Sequence, residues 1–209
     1  GDERRRRAQV DLLGRADPGR AGQPLQKAVR LNPNRPEGLY WLGTVYYDAG
    51  DYEHAIEKFE TLLRNHGNYV NTTFNLGTAY ARSGQKQKAI ELYQEGLRTD
   101  PYYAKMHDYL GRCYLLDSTQ QEGERLAKEH FEKASDYYLQ QIARNPTDFE
   151  LRVDRGKVLM LLNQREQAQD EFTKALEMNP ENAQAKSLLE RVRQSPDDTE
   201  SERRGSSVE

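Results

Sequence analysis

Along the stretch LGTVYYDAGDYEHAIEKFETLL, residues suited to packing stand at Leu42, Gly43 and Tyr46 and again at Ala55, Phe59 and Leu62, at steps of one, three and four with polar residues between. That spacing predicts two amphipathic helices. Gly50, and later Gly84, fall between the two members of such a pair, where a left-handed backbone ends the first helix, and Asn163 can take the same conformation further on. A helical hairpin follows. Gly43, Gly77, Gly111 and Gly156 lie inside predicted helices, at a cost near 1 kcal/mol each, so each is expected to admit a bulky side chain of the neighbouring helix.

The hairpin recurs. Leu42-Gly43, Leu76-Gly77 and Leu110-Gly111 are 34 residues apart, each followed three residues later by Tyr46, Tyr80 or Tyr114. Prolines after Asn or Asp at Pro33, Pro101, Pro146 and Pro180 are separated by 68, 45 and 34 residues, with Gly67 standing where a further one would fall. Such a period signals a repeat array, in which each pair is too small to bury its own apolar face and stacks on its neighbours.

In these residues the sequence resembles the tetratricopeptide repeat (TPR) family. The resemblance covers residues 36–69, 70–103, 104–148 with an 11-residue insertion, and 149–182. It implies an all-α, right-handed superhelical solenoid of antiparallel helix pairs. The last copy keeps Gly156, Ala168, Phe172 and Ala175 but has Arg155 for the usual leucine and Leu159 for the usual tyrosine, so its first helix is expected to pack less tightly. Residues 1–35 carry a basic arm and a degenerate repeat, with Ala21, Leu25, Ala28 and Pro33 matching a second helix and Arg5, Ala8, Gln9 and Leu12 a poor first one. Residues 183–194 read as a capping helix through Leu188, Leu189 and Val192, and the polar tail 195–209 as disordered. In the third copy, STQQEGE is expected to loop before a helix of about six turns that overshoots the array by about two turns and offers extra surface near its start.

Composition then narrows the function. With 35% apolar and 31% charged residues in 209, the core is expected to be thin and extended. Thirty-one Lys and Arg stand against 34 Asp and Glu, a net charge of −3, which argues against a phosphate-backbone binder, and no nucleic-acid partner is expected. Cys113 is the single cysteine and sits beside Gly111, where small residues pack, so it reads as buried filler. His54 and His66, and His107 and His130, lack metalloprotease spacing, and no phosphate loop, dinucleotide fingerprint or nucleophile elbow is present. No catalytic residue, metal or cofactor is expected, and the chain reads as no enzyme. It lacks a membrane-spanning run and opens at Gly1 without methionine, so membrane attachment is expected only through a segment upstream. As given, the chain reads as soluble, in the cytoplasm or at a membrane in the periplasm. The run Arg4 to Arg7 reads as a solvated arm, with an acidic-lipid contact as its alternative.

The resemblance implies a concave face lined by the first helix of each pair. Equivalent positions give Glu37, Tyr40, Trp41, Thr44, Tyr47 and Asp48, then Asn71, Phe74, Asn75, Thr78 and Arg82, then Lys105, Asp108, Tyr109 and Arg112, then Glu150, Asp154 and Lys157. The expected partner contacts are Tyr40, Trp41, Thr44, Tyr47, Asn71, Phe74, Asn75, Arg82, Lys105, Tyr109, Arg112 and Lys157: an aromatic end and a basic middle. Trp41 flanked by tyrosines is an anchor composition, and Asn71 and Asn75, one turn apart, can both donate to and accept from a peptide backbone. Asn75 and Lys105 also match the clamp some family members use for C-terminal carboxylates. Tyr40, Thr44 and Tyr109 depart from it, so that ligand is disfavoured. The expected role is a protein-binding adaptor for a peptide or protein segment. The alternatives are a scaffold self-associating through its N-terminal segment and the accessory domain of a larger enzyme.

Overall fold

The computed structural model describes residues 35–68, 71–116 and 121–194. Among them lie nine α-helices, α1 (Pro36–Asp48), α2 (Tyr52–His66), α3 (Thr72–Arg82), α4 (Lys86–Thr99), α5 (Ala104–Leu115), α6 (Gln121–Arg144), α7 (Phe149–Leu161), α8 (Arg165–Met178) and α9 (Ala183–Gln194). The degenerate repeat expected before Pro36 and the tail after Gln194 lie outside the described residues. The chain divides into two compact units, Gly1–Pro101 and Tyr102–Glu209.

In the first unit α1 packs on α2, α2 on α3 and α3 on α4. Pro36 opens α1, where a missing N–H costs nothing, and Asp51 caps α2 by accepting from the His54 N–H at 3.3 Å. The turns inside each pair rest on left-handed residues, Gly50 at φ 79° and Gly84 at φ 82°. The helical glycines do what their cost suggests: a Cβ on Gly43 would stand 2.7 Å from the Phe59 ring, and one on Gly77 2.7 Å from the Tyr93 ring. These rings, with Leu42, Leu62, Leu76 and Ala89, form the buried centre. Two asparagines shape the entry to α3. Asn71 precedes the helix with φ 62° and is exposed, while the Asn68 side chain accepts from the Thr73 N–H at 2.9 Å.

In the second unit α5 packs on α6, α6 on α7, α7 on α8 and α8 on α9, with α9 also touching α7. Phe131 lies against Gly111 and Phe172 against Gly156, and Asn163 turns the last pair at φ 57°. Ala185, Leu189 and Val192 of α9 close the core around Phe172, with Leu188 packed at its edge. The structure corrects the third pair. α6 has 24 residues against 14 or 15 in α2, α4 and α8, and it begins at Gln121, taking in half of the expected loop. Glu122 and Glu124 in its first turn suit the positive end of the helix dipole, and Arg125 donates to Glu122 at 2.6 and 3.0 Å. Most of the surplus lies beyond Phe131, at the end of the helix. It carries Tyr138 and Ile142, both buried, so the extra turns supply core as well as surface.

The fourth pair is not looser. Arg155, at the leucine position, donates to Glu171 of α8 at 2.5 Å, and Arg152 donates to the other Glu171 oxygen at 3.0 Å. Glu171 is 3% exposed. A charged triad replaces apolar contact there, while Gly156 and Phe172 keep the close approach.

Candidate binding site

The expected contact residues of the first unit lie on α1 and α3, and packing sorts them. Tyr40 is 5% exposed, its ring 5.3 Å from Trp41 edge-on and 6.4 Å from Phe59. It is a core residue that backs Trp41, and its place in the expected contact set is corrected accordingly. Thr44 is half-buried and turns its hydroxyl back to the Tyr40 carbonyl at 3.0 Å, which spends its donor. Trp41 and Tyr47 are half-buried, Tyr47 leaning on Tyr52 at 5.5 Å. On α3, Phe74 and Asn75 are half-buried, Phe74 6.1 Å from Tyr93, and Arg82 is exposed in the last turn. Among the described residues the Trp41 indole N–H, the Tyr47 hydroxyl and the Asn75 amide make no hydrogen bond. These three polar groups sit on partly covered side chains whose apolar faces are also partly exposed.

The second unit differs from the basic surface expected of it. Lys157 donates to Asp154 at 2.9 Å, and Lys105 reaches the other Asp154 oxygen at 3.7 Å. Arg112 grips Asp108 of its own helix through two nitrogens, at 2.7 and 3.3 Å. Asp108 is buried, and that burial raises its carboxyl pKa against the lowering pull of Arg112. The three expected cations thus share two acids, Asp154 and Asp108, which disfavours a terminal carboxylate as ligand. Tyr109 is half-buried beside them. Sequence spacing places Asp108 and Asp154 on this face without showing that they pair with its cations. Tyr138, which helical spacing sets on the same face of α6 as Phe131 and Ala134, is wholly buried with no hydrogen-bond partner for its hydroxyl among the described residues, and burial and then the charges of Asp154 and Asp108 push its pKa well up.

The histidines of the third pair also meet. His107 of α5 and His130 of α6 bring their Nδ1 atoms to 2.8 Å, with Tyr137 against His107 and Tyr114 stacked on His130. Among the described residues no group of three or more metal-ligating side chains forms. Burial, then His107, lowers the His130 pKa from 6.5 to about 4. Between those values the unfolded chain takes up a proton that the folded chain refuses, so stability is present above pH 6.5 and is lost as the pH falls toward 4. Urea midpoints measured across that window should decline less steeply for His130→Phe than for the parent; parallel slopes would remove His130 as the cause.

A tetratricopeptide repeat family model matches residues 10–70, 42–104 and 74–122, more than half of the chain together, and a second matches 149–182. The chain belongs to the tetratricopeptide repeat family. Among solved structures it is similar to TTC0263, a thermophilic TPR protein of Thermus thermophilus, with a TM-score of 0.67 and 23% identity over 89% of this chain and 95% of that one. It is also similar to MamA, with a TM-score of 0.51 and 27% identity over 80% of this chain and 91% of that one. MamA of Desulfovibrio magneticus RS-1 gives a TM-score of 0.55 and 22% identity over 85% and 94%. No curated protein matches the sequence. In general terms the chain is a protein-interaction adaptor, in a family whose members are typically non-enzymatic scaffolds.

Proposed function

We propose that the chain is a non-enzymatic adaptor that holds an extended segment or a helix of a partner protein on its first helices, with the main anchor in the first unit. The observation that carries this is the set of half-buried side chains with unspent polar groups, Trp41 and Tyr47 on α1 and Asn75 on α3, beside Phe74. An indole and two aromatic rings give apolar area at low entropic cost, and an amide that can donate and accept suits a peptide backbone. In the second unit Lys105, Arg112 and Lys157 share two carboxylates, Asp154 and Asp108, which counts against a carboxylate clamp there.

A Trp41→Ala, Asn75→Ala double variant tests this. Beside the intact chain as bait in native lysate, with mass spectrometry as readout and matched thermal melting to confirm folding, it should lose the principal partner. For the isolated partner segment, Asn75→Ala alone should weaken binding by about 1–3 kcal/mol if the amide is buried in the complex. Partners captured equally by both baits would reject the first-helix site.

A further inference from the structure

The first unit has a cleft lined by Leu76 and Tyr80 of α3, away from Asn75. It measures about 520 Å³ and lies between α2 and α4, with Leu76 and Tyr80 as its floor. Its walls are single stripes of each helix, at steps of three and four: Glu60, Leu63 and Arg64 from α2, and Lys88, Glu91, Leu92 and Glu95 from α4. α2 and α4 each pack on α3, and the space between them is the cleft.

The chemistry of that space is specific. Leu63 and Leu92 are half-exposed and face it as apolar walls. Tyr80 is buried and donates its hydroxyl to Glu60, which fixes a carboxylate at the edge of the floor. Lys88 is drawn over the Tyr80 ring, 5.0 Å from its centre, and donates to Gln85 at 2.8 Å. Glu91 and Glu95, one turn apart on α4, are exposed; Glu91 accepts from Gln87 at 3.3 Å, and Glu95 has no ion pair among the described residues. Three carboxylates against two cations leave the lining with one surplus negative charge. An apolar slot with carboxylates at its rim matches a side chain with a methylene stem and a cationic fork.

We propose that this cleft is a second docking site, separate from the first-helix site, which takes an arginine of a partner peptide between Leu63 and Leu92 with its guanidinium on Glu91 and Glu95. A chain with both sites would bridge two segments, of one partner or of two, which an adaptor with a single face cannot do.

Arrays of randomised nonapeptides whose central residue is fixed in turn as Arg, Lys, Leu or Glu, probed with the full chain, test this. The Arg-centred pool should be retained at least about fivefold above the Glu-centred pool, in line with the modest worth of exposed charge pairs. A Glu91→Lys, Glu95→Lys double variant, on an exposed helix face and so expected to fold, should abolish or invert that preference. The Trp41→Ala, Asn75→Ala variant should keep it, which separates this site from the first-helix reading. An equal response to all centres, or a preference unchanged by the charge reversal, would overturn the proposal. So would a charge reversal that alters self-association of the chain and leaves peptide capture intact, since the occupant would then be a second copy.

Discussion

Replacing Glu171 with alanine is expected to lower the unfolding free energy of the second unit by about 3–5 kcal/mol, because it strips the counter-ion from two guanidinium groups that the fold has already taken out of water. Glu171 is 3% exposed, and the side chains of Arg152 and Arg155 are 14% and 13% exposed. Both Nε atoms already lack hydrogen-bond partners among the described residues, so little is at hand to absorb the loss. The triad itself is no proof of stability, since burying three charges costs desolvation that their attraction repays only with good geometry. A second variant makes the distinction. Arg152→Leu, Glu171→Leu, Arg155→Leu together should be near neutral or stabilising, because leucine is what the repeat pattern places at 155. Thermal and urea unfolding of both variants decide the matter: a single substitution costing under about 1 kcal/mol would show that the carboxylate is not the keystone of this pair.

Phe131→Ala should cost a similar amount, about 3–5 kcal/mol, for an apolar reason. The ring fills the space over Gly111 in a cluster whose other buried members are Ala104, Ala127, Ala134, Tyr138 and Val158, with Tyr114, Tyr137, Leu151 and Leu162 packed at its edge. The reciprocal change is instructive. A Cβ on Gly111 would stand 2.7 Å from the ring and 3.1 Å from the Ala127 carbonyl oxygen, so Gly111→Ala is expected to cost about 1–3 kcal/mol by overpacking. If ring and glycine are one packing unit, Gly111→Ala combined with Phe131→Leu destabilises by less than the sum of the two single changes. Strict additivity in urea denaturation would show that the glycine is present for another reason.

Much of this architecture is legible in one dimension because it is built from local, periodic contacts. Each helical glycine stands opposite one ring of the helix that follows, 16 residues on in three pairs and 20 at Phe131, and a left-handed Gly50, Gly84 or Asn163 turns the chain between the helices of three of the pairs. Helix number, pairing and the small-to-large contacts follow from those positions. The candidate contacts were legible less evenly. Helical spacing assigns a residue to a sector of the helix surface, and Tyr40 and Trp41, about 100° apart, fall on either side of the boundary between core and face. Which of them is buried depends on how closely Phe59 approaches, and that is a tertiary distance.

Charge was the least legible part. Lys105, Arg112 and Lys157 read as a basic surface when each is counted on its own helix, yet Asp154 of α7 serves Lys105 of α5 as well as Lys157. The Arg152–Glu171–Arg155 triad, the His107–His130 contact and the cleft between α2 and α4 likewise join residues from helices whose register is fixed by packing. Sequence alone determined that this chain is an array of helix pairs, and which residues close each pair, because those contacts repeat at fixed short separations. Only the tertiary structure decided which surface groups remain unspent. Pairing of charges and the opening of clefts depend on distances between helices, which no periodicity along the chain encodes.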